Sequence, residues 1–414
     1  MTELLTLTEE QRRTVFNQAA FLAGLSPEVV EKDWWVTLTL QAIFKTEYAP
    51  HILFKGGTSL SKCWKLINRF SEDIDLALDR EFLGFGGNLS NTRIKALKKA
   101  NSLFTSSELR TVIEEQLIIL GVPAGMTTLT AKPVPANSSY PDPQELRLIY
   151  PSLYDAIEYI PADVKIEVSG RSLKEPWSTC QINSLVGEHI PGQPFSGQPF
   201  QVAAVEPRRT FLEKIFLLHE EFLKTENNIR HFRMSRHLYD VVKLMDTLHG
   251  WKAILDTELY EVVRLHREKY YQLPGVEYNT HLTTSVNFIP PATVTDLYRQ
   301  DYQKMLEQMI RENDPPNFQA LITGLEELTQ RLRVPADFKG KTIEQIIADA
   351  EQLDPKDSTS PNFMIEGGTV TIPLSYNEDG KPMADAKAAH YTVKFVRKDK
   401  ALTFPKVKPA GNKS

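Results

Sequence analysis

One stretch of this chain restricts its fold more than any other. The apolar run His51-Ile-Leu-Phe54 reads as a short buried strand, and it passes directly into Lys55-Gly56-Gly57-Thr58-Ser59. Leu60, Cys63, Trp64 and Ile67 then fall at i, i+3, i+4 and i+7, which predicts one apolar face of a helix starting at about Thr58. Glu72-Asp73-Ile74-Asp75-Leu76-Ala77-Leu78 follows with the period of a strand. Asp73 and Asp75 therefore share one face of that strand. Two carboxylates held that close repel each other unless a cation lies between them. A hard divalent ion such as Mg²⁺, bound through oxygen, relieves the repulsion. The glycines let backbone approach a phosphate, and a helix N-terminus offers it N–H groups. The competing explanation is a glycine turn followed by a solvated acidic strand end. Order and spacing together favour phosphate and metal chemistry. A Walker A loop is excluded, because Lys55 precedes the glycines.

Around this stretch the chain changes character. Residues 1–45 read as helices, with Thr8-Glu-Glu-Gln11 as one start and Ser26-Pro27 as another. Residues 90–120 read as helical, 121–145 as loop or edge hairpin, and Asp163-Val-Lys-Ile-Glu-Val168 as an alternating strand. Residues 186–200 are rich in Gly and Pro and mark a boundary loop. From Arg209 to about Arg333 the pattern is helical, and a hairpin is predicted around 364–374 and 390–397.

Two further constellations carry candidate chemistry. Lys165 and Glu167 lie on one face of their strand. They read either as part of a metal site or as a salt pair at a sheet edge. Ser169-Gly170-Arg171 beyond them offers a weaker anion contact. Lys214 lies on a helix whose apolar face includes Phe211, Ile215, Leu218 and Phe222, where a lysine commonly snorkels. Arg236 and Asp240 stand at i and i+4, the spacing of a helix salt bridge. His231 and His237 lack zinc-ligand spacing and read as satisfied surface residues. Glu31, Lys32 and Asp33 take no catalytic role from their chemistry. They read as part of a helix that packs Trp34 and Trp35 on the core.

Composition narrows the partners. With 48 basic and 53 acidic residues the net charge is −5, so no global field draws in nucleic acid. Contact with RNA needs a local patch, for which Arg93, Lys95, Lys98, Lys99, Arg208, Arg209, Arg230, Arg233 and Arg236 are candidates. Two cysteines, Cys63 and Cys180, cannot make a disulfide framework and fit a reducing, cytoplasmic setting. Met1–Glu10 does not read as a signal peptide, and no apolar run is long enough to span a membrane.

Phe54-Lys55-Gly56-Gly57-Thr58-Ser59-Leu60 followed by Phe70-Ser71-Glu72-Asp73-Ile74-Asp75-Leu76 resembles the AbiEii/AbiGii family of nucleotidyltransferase toxins, within the DNA polymerase β-like superfamily. Glu31-Lys32-Asp33-Trp34-Trp35, Thr210-Phe-Leu-Glu-Lys214, Ser235-Arg236-His237-Leu238-Tyr239-Asp240 and Asp301-Tyr302-Gln-Lys-Met305 resemble other family segments. The likeness covers about residues 10–330. The interval 58–72 is longer than many members show, which predicts an extra loop after the helix. The resemblance implies an α+β fold, with a small mixed sheet flanked by helices. Its expected domains are a nucleotidyltransferase domain over 1–200, a helical C-terminal domain over 201–335 and a tail over 336–414. It implies a Mg²⁺-dependent two-metal site on Asp73, Asp75 and Glu167. Glu167 would be both ligand and proton acceptor. An NTP donor would be gripped at Gly56, Gly57, Thr58 and Ser59, with Lys214 on the triphosphate, Asp240 in or beside the site, and Arg236 nearby. It further implies a toxin acting on RNA such as tRNA, with a cognate antitoxin. Two alternatives remain: nucleotidylation or phosphorylation of a protein, and an idle nucleotide-binding scaffold.

Overall fold

The computed structural model describes residues 1–136, 138–155, 161–333, 368–373 and 390–395. The chain divides into two units. One comprises Met1–Glu206 and Gln308–Asn313, the other Pro207–Glu307 and Asp314–Ser414.

The first unit is α+β. Its strands are β1 Ile52–Lys55, β2 Ile74–Leu78, β3 Thr128–Ala131, β4 Gln144–Ile149, β5 Asp163–Ser169, β6 Trp177–Ile182 and β7 Phe200–Val205. They form one mixed sheet in the order β3-β4-β5-β2-β1-β7-β6. β1 runs antiparallel to β2, whereas β2 and β5 are parallel, as are β1 and β7. Its helices are α1 Glu9–Ala23, α2 Pro27–Ile43, α3 Gly56–Lys62, α4 Asn91–Phe104, α5 Arg110–Ile119 and α6 Leu185–His189. The Gly/Pro-rich stretch 186–200 begins within α6 and runs into β7, which pairs with β1, so the sheet continues beyond it.

Alternation sorts the two faces of the sheet. Ile74, Leu76 and Leu78 of β2 join Val164, Ile166 and Val168 of β5 in the core, all essentially inaccessible to solvent. α2 belongs to the same core, where Trp34 and Trp35 are buried and Trp35 stacks on Tyr150 at 4.9 Å. Burial of each large apolar side chain is worth roughly 1.5–3 kcal/mol, so the centre of the sheet is firmly seated. Residues 73, 75, 165 and 167 belong to the opposite set. Thr8 caps α1 through a reciprocal box with Gln11, as its sequence predicts. Ser26 stands at the N-cap of α2, but its side chain makes no capping bond.

α3 differs from expectation. It starts at Gly56 rather than Thr58 and ends at Lys62, so Cys63, Trp64 and Ile67 lie beyond it. Lys65 adopts φ 52°, a left-handed conformation that stops further helix. The apolar spacing at 60–67 thus reports burial of a loop, and the long interval before Asp73 is that loop. The returning segment Gln308–Asn313 lies against it. Arg69 bridges to Ile310, Phe70 N–H donates to the Met309 carbonyl at 2.6 Å, and Arg311 N–H to the Asn68 carbonyl at 2.8 Å.

The second unit is mainly helical: α7 Pro207–Phe222, α8 Ser235–Met245, α9 Leu248–Leu255, α10 Thr257–Tyr270, α11 Thr295–Gln308 and α12 Phe318–Leu332. Phe211, Ile215 and Leu218 of α7 are fully buried, with Leu238, Val241 and Leu244 of α8. Asp301 fixes the start of α8. Its carboxylate accepts the Arg233 N–H at 2.6 Å, the Ser235 N–H at 2.9 Å and the Ser235 hydroxyl at 2.5 Å. Two tail strands, β8 Gly368–Pro373 and β9 His390–Phe395, pair antiparallel. The remainder of 336–414 lies outside the described residues.

Candidate active site

Four strands bring charged residues into one transverse row. Lys55 on β1 is opposite Asp75 on β2, Asp75 is opposite Glu167 on β5, and Glu167 is opposite Glu145 on β4. Strand neighbours in register have Cβ atoms about 5 Å apart, so three acidic positions are neighbours across the sheet. Asp73 stands just before β2 and joins them through Lys165. The Lys165 Nζ lies 3.3 Å from Glu167 Oε1 and 3.7 Å from Asp73 Oδ1. β5 is an interior strand, so the Lys165–Glu167 pair is not an edge salt bridge. Burial, with the charges of Glu167 and Asp73, pushes the Asp75 carboxyl up to about 7 against the opposing pull of Lys55 and Lys165.

These carboxylates supply the all-oxygen donor set that a hard divalent ion takes, and Asp75, raised first by burial, is raised further by the Glu167 and Asp73 charges that such an ion would offset. Among the described residues no three acidic, His or Cys side chains already converge as a cage. Lys165 stands between two of the donors.

Close packing explains both glycines of the turn. Gly56 has φ +78°, and a Cβ there would collide with the Asp75 carboxylate. A Cβ at Gly57 would come within 2.7 Å of Arg69 Nη2 and 2.9 Å of Ser71 Oγ. The turn is therefore clamped between the acid row and the buried Arg69. Thr58 is fully buried, and its hydroxyl is 2.5 Å from the Asp73 carbonyl and 2.9 Å from Ser71 Oγ. Ser59, also buried, donates to the Gly56 carbonyl at 3.0 Å. Both hydroxyls thus brace the turn and Asp73.

The Glu31-Lys32-Asp33 segment holds this frame from α2. Asp33 pairs with Lys62, the last residue of α3, at 2.6 Å, and accepts the Leu185 N–H at the start of α6 at 2.7 Å. Glu31 accepts the Leu153 N–H at 2.9 Å and the Ser152 hydroxyl at 2.7 Å. Lys32 reaches Glu72 at 3.5 Å, donates to the Pro161 carbonyl at 2.7 Å and also to the Asp163 carbonyl. Burial pulls the Lys32 ammonium below its usual range, although Glu72 and Asp163 oppose that. Lys32 so ties the residue before Asp73 to the start of β5.

In the second unit, Lys214 of α7 pairs with Asp240 of α8 at 2.9 Å, and its Nζ lies 3.3 Å from His237 Nδ1. Lys214 and Asp240 are both buried, so this lysine is not snorkelling. His237 is partly exposed and satisfied, as expected, and its partner is Lys214, which brings it into the cluster. The signal was its position three residues before Asp240 on one helix face. Arg236 is half-buried on the same helix.

Of the expected basic surface, Arg93, Lys95, Lys99 and Arg230 are exposed, and one member drops out. Arg209 is fully buried and pairs with Glu213, so it is no part of any surface. Arg230 chelates Glu221 at 2.6 and 2.9 Å, and Arg208 pairs with Asp256 at 3.0 Å. Ser169 and Arg171 both serve the buried Asp142, the serine at 2.5 Å, which uses up the anion contact expected there.

A mixed sheet joined to a mainly helical region is the architecture of a nucleotidyltransferase, a transferase of phosphorus-containing groups. The family model described as nucleotidyl transferase AbiEii toxin, type IV TA system, matches residues 38–324, and the chain belongs to that family. Among solved structures, JHP933 from Helicobacter pylori is similar at 13% sequence identity, covering 80% of this chain and 100% of that one, with a TM-score of 0.38. No curated protein matches. Among the described residues no helix is long and apolar enough to cross a membrane.

Proposed function

We propose that the protein transfers a nucleoside monophosphate from an NTP to an RNA acceptor, tRNA foremost, as the toxin of a phage-defence pair with a cognate antitoxin. The observation that carries this reading is the acid row, with Asp75 and Glu167 in register on parallel strands and Asp73 beside them. A divalent ion such as Mg²⁺, singly or as a pair, held by Asp73, Asp75 and Glu167 would neutralise charge on the transferring phosphate and align the attacking and leaving oxygens. The chain's own residues do the rest. The turn at Gly56 and Gly57 presents backbone N–H groups to the β,γ-phosphates, while Thr58 and Ser59 keep it rigid. Lys214, oriented by Asp240 and His237, is assigned to the triphosphate, with Arg236 supporting it. Glu167 takes the proton of the acceptor hydroxyl as that oxygen bonds to the α-phosphorus. The bond from the α-phosphorus to the bridging oxygen breaks, and pyrophosphate leaves.

The test is a labelling reaction with Mg²⁺, each α-labelled NTP in turn and total tRNA. Label on tRNA with the native chain, and none with the Asp73→Ala/Asp75→Ala double variant, is the expected result. Label on protein instead would move the acceptor assignment. No label on either, with NTP still bound, would overturn the transfer reading.

A further inference from the structure

The Lys165 ammonium pairs with two of the proposed metal ligands at once. It projects from β5 on the same face as Glu167, two residues away, and its ammonium touches Glu167 and Asp73 together. Asp75 is aligned with Glu167 across the β2–β5 pairing, so the ammonium lies on the sheet face that also carries Asp75. Its side chain is about one quarter exposed, which leaves room to swing outward. An alternative acidic partner waits on the next strand. Glu145 is in register with Glu167, and Lys165 contributes to holding its carboxyl below the usual range, after Arg147 and Lys132.

We propose that Lys165 is a built-in competitor for the divalent cation: it neutralises Asp73 and Glu167 when the ion is absent and withdraws when the ion binds. Its charge then sets the metal concentration at which the site fills. A lysine suits this role, because its ammonium is a compact point charge on a flexible stem. Like the functional reading above, the inference rests on Asp73, Asp75 and Glu167 being metal ligands. Lys165 is here a positioning residue, acting through the acids.

The experiment titrates Mg²⁺ into the full-length chain without nucleotide and follows the thermal unfolding midpoint, beginning in EDTA. The native chain should gain stability with Mg²⁺, and Asp75→Asn should lose that response. Lys165→Gln should unfold at a lower temperature in EDTA, yet reach half-saturation at roughly three- to tenfold less Mg²⁺. Lys165→Arg should stay near the native midpoint, because the charge is retained. Lys165→Met, which keeps the stem, replaces the glutamine variant if that does not fold. A neutral variant with unchanged or weaker Mg²⁺ binding, beside a responsive native chain, would overturn the competitor role and leave the metal site standing. A native chain that ignores Mg²⁺ would overturn both.

Discussion

Two acid-rich segments of the sheet-bearing unit, 31–33 and 73–75, look alike as sequence, and burial raises both the Glu31 and the Asp75 carboxyl, yet they are partnered differently as structure. In the first, each charge is nearly sealed from water and matched to its own partners: Glu31 to Leu153 and Ser152, Lys32 to Glu72 and two carbonyls, Asp33 to Lys62 and Leu185. In the second, Asp75 is buried and crowded by Glu167 and Asp73, which raise its carboxyl to about 7 against the opposing pull of Lys55 and Lys165. The contrast teaches where to look for chemistry. Matched buried charges fasten elements together; crowded carboxylates hold repulsion that a bound cation can turn into affinity.

The sharpest way to break this contrast is to neutralise one acid of each segment. Asp73→Asn should lower transfer by about 10³-fold or more, read as initial rate, while the fold survives. Asp33→Asn should do the reverse. Removing one partner of its buried pair with Lys62 should cost about 3–5 kcal/mol in urea unfolding. If both variants simply unfolded, the distinction would collapse.

A pH series sharpens the second half. The folded-state carboxyl of Asp75 is raised from 3.8 to about 7. Its contribution is therefore favourable in acid and is lost as pH rises through about 7. In EDTA, Asp75→Asn should be more stable than the native chain at pH 8 by about 1–3 kcal/mol, with the gap closing towards pH 5. A gap that stays constant with pH would sink the assignment. The smallest expected effect is a control away from both segments. Thr8→Ala removes the cap of α1 and should cost about 1 kcal/mol in thermal unfolding, with transfer unchanged.

Much of the candidate site was legible because strands announce themselves at period two. The faces of β2 and β5 follow directly from alternation, and so does the pairing of Asp73 with Asp75 and of Lys165 with Glu167. What alternation cannot supply is register. That Asp75 meets Glu167, and that Glu145 continues the row, depends on contacts between strands far apart in the chain. Local signals also misled at α3. The i, i+3, i+4, i+7 spacing of Leu60, Cys63, Trp64 and Ile67 reflects apolar burial, which a packed loop satisfies as well as a helix does. The role of Asp301 was equally hidden, since a carboxylate that caps a helix from a distant segment leaves no short-range trace.

The segment Gln308–Asn313 pairs with Asn68–Phe70, and the Arg69 side chain of that stretch packs against Gly57 of the turn. During synthesis the ribosome therefore delivers the acid row long before the backbone that braces its neighbouring turn. A nascent chain cannot close that pairing until residue 313 has emerged. A fragment stopped at Glu206 would carry every carboxylate of the row and still lack the backbone partner of residues 68–70. Such an order of assembly delays that backbone pairing until most of the polypeptide exists.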